Sequence, residues 1–301
     1  MARLSIERPE PNNLKVILTL RLSGPNILRT CCDEAGKHIS FILETILSVL
    51  IAIPVYNEIK YISRVLQKVR SFHDQILFID DYSTDGTTDF LLNQSGIHLI
   101  RHHRNMGYGK SIIDAFQFAH THRYDWVITM DCDEQHEPET LPRFFTEIEA
   151  DQWDIISGSR YTDQNQLDDL APNDRRLINH TITALINDLF GWHLTDTFCG
   201  FKAHRVSAMQ KLNLDESGYA FPLQLWPKAY HAGLRIKEIP VRRIYNDPNR
   251  SFGGNLDDAD RRLRYYLNVL KRELIRIHHP RAEDVDDVSI QNPHACCCGC
   301  P

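Results

Sequence analysis

The chain has no excess of positive charge. Its 34 Lys and Arg are outnumbered by 40 Asp and Glu, leaving a net charge of -6, so a broadly basic nucleic-acid surface is excluded and no nucleic-acid partner is expected. It also lacks an unbroken apolar stretch of the roughly 18 residues that a membrane span needs. The longest block, Phe41 to Val55, carries Glu44 and runs into Pro54; it reads as a buried strand with a lead-in. An apolar signal core is missing as well, since Arg3, Glu7 and Arg8 interrupt the first residues, and secretion is not expected. Cysteine and histidine at finger-like spacing are absent. Cys31 and Cys32 are adjacent, Cys132 and Cys199 stand alone, and Cys296, Cys297, Cys298 and Cys300 crowd the last six residues. Adjacent cysteines rarely bridge each other, so this is no disulfide framework, and a reducing, cytoplasmic setting is expected. The terminal cluster reads as a disordered tail with incidental cysteines, with soft-metal binding or lipidation as the alternative.

What remains is an ordinary globular composition, 42% hydrophobic and 25% charged over 301 residues, ample for a sizeable core. Residues 1–47 show no clean period and are broken by Pro9, Pro11, Gly24 and Pro25; they read as a leader of unknown order. From Ser48 the text changes. VLIAIPVY, QILFID, IHLI, WVITMD and WDIIS are nearly continuous in apolar residues, as strands buried on both faces of a parallel sheet are. Helical stripes alternate with them. One runs through Ile59, Ile62, Val65, Leu66 and Val69, one through Ile112, Ile113, Phe116 and Ala119, and one through Leu141, Phe144, Phe145 and Ile148, opened by Pro138. The alternation predicts an α/β fold, a Rossmann-like, mostly parallel open sheet with helices on both faces.

Ligands of such sheets sit beyond the carboxyl ends of the strands, and polar residues gather there. The first strand ends in Pro54-Val55-Tyr56-Asn57-Glu58 and the second in Asp80-Asp81-Tyr82-Ser83-Thr84-Asp85. The fourth ends in Asp131-Cys132-Asp133-Glu134-Gln135-His136 and the fifth in Gly158-Ser159-Arg160-Tyr161. A single acidic strand end can serve as a helix N-cap, and Ser83 and Asp85 suit that task. Capping does not call for Asp131, Asp133 and Gln135 at alternating spacing, which puts three oxygens on one side of an extended segment. Such hard oxygens suit Mg²⁺ or Mn²⁺. His136 is either a further ligand or one incidental member of 15 histidines.

PVYNE, IDDYSTDGT, RNMGYG, DCDEQ, GSRY and DTFCGFK, in that order, resemble the inverting family-2 glycosyltransferases with the GT-A fold. Within them the chain is most similar to the polyprenyl-phosphate sugar synthases, such as dolichyl-phosphate mannose or glucose synthases. The resemblance covers roughly Ser48 to Asn255. It implies that Pro54, Tyr56 and Glu58 line the nucleotide base and ribose, with Asp80 at the base and Asp81 beside it. Asp131 would contact the ribose or the metal, and Asp133 and Gln135 would hold the cation. Arg160, Arg175 and Arg250 match arginines that receive an acceptor phosphate, and Arg176 is an equal candidate to Arg175. Asp196 would lie near the sugar. The implied reaction is metal-dependent transfer of mannose or glucose from a GDP- or UDP-sugar to a polyprenyl phosphate. A saccharide or protein hydroxyl acceptor is the alternative enzyme reading, and a non-catalytic nucleotide-sugar binder is a third.

The physics agrees with those roles. A cation stabilises the charge that grows on a departing diphosphate, and a planar guanidinium recognises phosphate bidentately. An acceptor hydroxyl needs a base, whereas a phosphate monoester is already ionised. Gln224 stands in YAFPLQLW where hydroxyl-acting relatives often carry an acid. Lys110 is a surface lysine or a donor-phosphate contact. The domain scheme expected is a leader over 1–47, the transferase over 48–255, a basic amphipathic helix over 256–280 and a tail over 281–301. In that helix Leu263, Leu267, Leu270 and Leu274 fall at helical spacing among Arg261, Arg262, Arg264, Lys271, Arg272 and Arg276. It either lies on an anionic membrane through residues 261–279, making the protein peripheral at the cytoplasmic face, or packs its leucines on the domain.

Overall fold

In the computed structural model the chain divides into two compact units, Met1–Ser48 and Val49–Pro301. The structure describes residues 3–7, 16–21, 26–32, 40–45, 47–133, 137–162, 173–242 and 254–288. The first unit is an antiparallel sheet of β1 (Arg3–Glu7), β2 (Val16–Arg21), β3 (Asn26–Cys32) and β4 (Ser40–Thr45), in that order. Pro9, Pro11, Gly24 and Pro25 lie outside the described residues. The apolar block from Phe41 to Val55, expected as a buried strand with a lead-in, holds most of β4 in the first unit and all of β5 (Val49–Val55) in the second.

The second unit begins with β5, α1 (Ile62–Arg70), β6 (Ile76–Asp80), α2 (Thr87–Leu92) and β7 (His98–Arg101). It continues through α3 (Tyr108–Thr121), β8 (Trp126–Thr129), α4 (Leu141–Glu149), β9 (Ile155–Ser159) and α5 (Asn173–Phe190). It closes with β10 (Lys202–Arg205), α6 (Val206–Met209), α7 (Phe221–His231), β11 (Ile236–Pro240) and α8 (Ala259–Arg276). The sheet order is β11-β9-β10-β8-β5-β6-β7. All neighbours are parallel except β10, which runs antiparallel to both β8 and β9.

The apolar runs become strands because every residue of β6, β8 and β9 is buried. The helical stripes face the sheet as read: Ile62, Val65, Leu66 and Val69 are buried, as are Leu141, Phe144 and Ile148. Ile59 is the exception, exposed and ahead of α1. In this unit the strands missed by the sequence reading are β10 and β11, as β1 to β4 are in the first. In β10 Lys202 and His204 are themselves buried, so KAHR does not look like core text.

Helix α8 begins where Asp258 accepts a hydrogen bond from the Arg261 N–H at 2.8 Å, a side-chain N-cap. Leu263, Leu267, Leu270 and Leu274 are buried, and the helix packs on α7. Of the two readings of this helix, the leucines therefore follow the second: they pack on the domain, and protein covers the apolar face. Among the described residues no helix is long and apolar enough to cross a membrane.

Candidate active site

The carboxyl ends of β5, β6, β8 and β9 open on one cleft of about 720 Å³, within the range of small-molecule sites. Pro54, Tyr56, Glu58, Asp81, Asp131, Asp133, Arg160 and Arg175 all line it. Four strand ends and the start of α5 thus bring together residues up to about 120 positions apart. Gln135 and Arg250 lie outside the described residues, as do His136 and the terminal cysteines.

At the first edge two loops are stitched together by side chains that accept backbone N–H groups. Ser83 Oγ accepts from Asn57 and Thr87 Oγ1 from Glu58, each at 2.9 Å. Asp85 accepts from Ile59 at 3.1 Å and from Thr87 at 3.0 Å. Burial opposes the Asp85 charge, but the hydrogen bonds from Thr87 and the Ile59 backbone hold its carboxyl below the usual range. Asp80, expected at the base, is fully buried and not part of the cleft lining. Its oxygens accept from Ser83 N–H at 2.9 Å and Thr88 Oγ1 at 2.5 Å, so it shapes the loop from behind.

Asp81 reaches the cleft and ties it to α3. Its carboxylate accepts from the backbone N–H of Met106 at 2.6 Å and Gly107 at 2.8 Å, at the positive end of the helix. His102 bridges Asp81 and Asp114 at 2.6 and 2.9 Å. Lys110 pairs with Asp114 at 2.5 Å and does not line the cleft, which removes the donor-phosphate reading of that lysine.

Beyond β8, Asp131 and the buried Asp133 both line the cleft. Gly200 lies against Asp131: a Cβ there would stand 2.7 and 2.9 Å from the two carboxylate oxygens, so only glycine leaves the acid its place. Tyr108 hydrogen-bonds Asp131, and burial together with that negative charge pushes the phenol well above its ordinary range. It stays a proton donor. Among the described residues no group of three His, Cys, Asp or Glu is gathered into a metal cage. The donor set still fits Mg²⁺ or Mn²⁺, because Mg²⁺ sites typically take one or two carboxylates and complete their shell with water and substrate phosphate.

The basic wall is built on Arg160. Its Nε and Nη2 donate to Asp196 Oδ2 and Oδ1 at 2.5 and 2.8 Å, a bidentate grip. Asp196 is fully buried and also accepts from Asn179 at 3.1 Å; it is not a lining residue. The expected sugar contact is thus a clamp behind the arginine. Burial disfavours both charges, yet Arg160 holds Asp196 well below the usual carboxylate range and Asp196 raises Arg160 in turn. Glu238 fixes the Asp196 segment by accepting from the Thr195 and Asp196 N–H groups at 2.8 and 3.0 Å. Arg176 lines the cleft beside Arg175, and so does the buried Lys202. The Lys202 ammonium donates to the Cys199 carbonyl and sits over the Trp226 ring at 5.5 Å; burial lowers its pKa. Burial, with the charge of Asp196, pushes the Cys199 thiol up to about 11, so it is no nucleophile at neutral pH. Gln224 is fully buried. It accepts from Asp215 and Glu216 N–H at 2.7 and 2.8 Å and donates to Glu273 at 3.1 Å, bracing the 215–218 loop rather than facing the acceptor.

Residues 50–212, more than half of the chain, match the sequence profile described as Glycosyl transferase family 2. The chain belongs to glycosyl transferase family 2. An undecaprenyl-phosphate mannosyltransferase of Micrococcus luteus is 28% identical over 222 residues, covering 70% of this chain and 90% of the relative. A polyprenol monophosphomannose synthase of Mycolicibacterium smegmatis is 28% identical over 202 residues, covering 64% and 76%. Among solved structures, glucosyl-3-phosphoglycerate synthase from Mycobacterium tuberculosis, in complex with Mn²⁺, UDP and phosphoglyceric acid, superposes with a TM-score of 0.58. That match covers 77% of this chain and 78% of the other at 16% identity, a likeness of fold. This family-2 protein is therefore a nucleotide-sugar glycosyltransferase with the GT-A fold. Sequence reading missed Tyr108 and Lys202 as cleft residues, although both sit inside motifs it had singled out, NMGYGK and DTFCGFK.

Proposed function

We propose that this glycosyltransferase moves mannose or glucose, with inversion, from a GDP- or UDP-sugar to a polyprenyl phosphate. The observation that carries the reading is the basic wall: Arg160, fixed in two directions by Asp196, shares one cleft with Arg175, Arg176 and Lys202. Guanidinium groups held in place before a ligand arrives suit a phosphate acceptor. The names of the two bacterial relatives, which act on undecaprenyl phosphate and polyprenol, support the same class of acceptor.

The chain's own residues divide the work. Tyr56, half exposed at the cleft, offers a ring face to the nucleobase, with Pro54, Glu58 and Asp81 around the ribose. Asp131 and Asp133, with Gln135, would hold the divalent cation, which when bound supplies Lewis-acid stabilisation of the leaving diphosphate. Arg160, Arg175 and Arg250 receive the acceptor phosphate and orient one of its oxygens toward the anomeric carbon, on the face opposite the leaving group. That oxygen is already ionised, so no side chain has to remove a proton, in keeping with Gln224 serving as a brace. Membrane contact through α8 would be electrostatic, through Arg261 and Arg264 on its exposed side, with the protein at the cytoplasmic face. The test is a transfer screen of GDP-mannose and UDP-glucose with and without a C55 lipid phosphate. Lipid-dependent release of nucleotide is expected, and faster transfer to a free saccharide would replace this reading with a hydroxyl acceptor.

A further inference from the structure

Tyr108 opens α3 at the cleft and reaches across to the end of β8. Its hydroxyl hydrogen-bonds the Asp131 side chain. The two groups meet over the bare backbone of Gly200, where an added Cβ would lie 3.0 Å from the phenolic oxygen as well as against both Asp131 oxygens. The ring stacks on Tyr219 with centroids 6.0 Å apart and planes 10° from parallel.

The backbone beneath the tyrosine is wedged. Gly107, at φ +96°, backs onto the 215–218 loop so closely that a Cβ would stand 2.4 Å from the Ser217 carbonyl oxygen, and Lys110 N–H donates to that same oxygen at 3.1 Å. Asp81 accepts from Gly107 N–H on the other side. The loop is itself pinned, since Glu216 accepts from Tyr265 of α8 at 2.7 Å and from Gly218 N–H at 3.1 Å. The phenol is thus delivered to Asp131 by backbone held from two directions.

We propose that Tyr108 is a positioning residue for the cation site: its hydroxyl donates to Asp131 and sets the orientation in which that carboxylate ligates the divalent metal. The inference rests on Asp131 being a ligand. A carboxylate has about four lone-pair sites; the phenol engages one and restrains the rotation of the group, leaving the others for the metal. Hydrogen bonds of this kind around metal-binding side chains typically change metal affinity by about 10–100-fold.

The experiment titrates Mn²⁺ into the full chain with UDP present and follows free Mn²⁺ by its paramagnetic resonance signal. Tyr108→Phe keeps the ring and its stack on Tyr219 while deleting the hydroxyl. It should weaken Mn²⁺ binding about tenfold and leave UDP affinity in chelator unchanged. An unaltered Mn²⁺ affinity in Tyr108→Phe, with Asp131→Asn strongly impaired, overturns the role of Tyr108 alone. If Asp131→Asn binds Mn²⁺ like the wild type, the ligand assignment beneath it fails too. A lowered melting temperature with unchanged Mn²⁺ affinity marks a purely structural tyrosine and also overturns the proposal.

Discussion

Arg160 holds both carboxylate oxygens of Asp196, a residue with no exposed surface, across 36 positions of sequence. The pair is placed so that the arginine lines the cleft and the aspartate does not. Removing either partner leaves an uncompensated charge, a cost of about 3–5 kcal/mol where burial is complete. Arg160→Ala, which strands the fully buried Asp196 charge, should therefore destabilise the fold by close to that amount in urea unfolding, and Asp196→Ala, which leaves an arginine that cleft water can reach, by less. The Arg160→Ala, Asp196→Ala double variant should lose clearly less than the sum of the singles. Strict additivity would mean the two groups are energetically independent.

Under the proposed function Arg160, Arg175 and Arg176 share the phosphate-binding task, and each can be tested by transfer. Arg175→Ala and Arg176→Ala should each reduce transfer to polyprenyl phosphate by about 1.5–3 kcal/mol in kcat/KM if they bond the phosphate, with nucleotide-sugar affinity by calorimetry little changed. Arg160→Lys should recover only part of the activity, because it keeps the charge and loses the planar fork. Loss of donor binding in these variants would move the arginines to the donor side.

Asp133→Ala should remove one ligand of the cation and raise the barrier by about 3 kcal/mol, a little over a hundredfold in rate. The wild-type enzyme in excess chelator should be slowed at least as much. Full turnover in chelator would end the metal assignment for Asp131 and Asp133 together.

His204 supplies a pH prediction. Burial, reinforced by the nearby charge of Lys202, lowers its pKa to about 3; its ring packs edge-on against Phe116 at 4.9 Å. The folded state keeps it neutral while the unfolded chain takes up a proton below about 6.5. Its contribution is fully present above that value and is lost as pH falls toward 3, at up to about 1.4 kcal/mol per unit. Unfolding measured between pH 7 and 5.5, before most carboxylates titrate, should show this slope. His204→Gln should flatten it, and an equal slope in both proteins would refute the assignment.

The sheet was readable where a run of buried aliphatic and aromatic residues dominates the strand, as in β5, β6, β8 and β9. It was unreadable in β10, where Lys202 and His204 are inside, and over 1–47, where the short alternating stretches such as RLSIE in β1 are not sustained from strand to strand. The cleft was readable as a set of strand ends, and Asp131, Asp133, Arg160 and Arg175 do converge there. The division of labour within it was not. Nothing local tells that Asp80 turns its oxygens to Ser83 and Thr88, that Asp196 selects Arg160, or that Gln224 braces Asp215 and Glu216. Each choice is made by a partner brought near only by the folded chain.

The reversed strand β10 has a mechanical result. Because it runs antiparallel between β8 and β9, the few residues leading into it must bridge the two. Asp196 at one end of that bridge anchors Arg160, and Gly200 at the other underlies Asp131. Four peptide units separate them, a span of at most about 14 Å when fully drawn out. The spacing of the two backbone anchors is thereby capped by covalent bonds, and under the proposed function that cap limits how far apart the supports of the diphosphate end and the acceptor-phosphate end of the cleft can move.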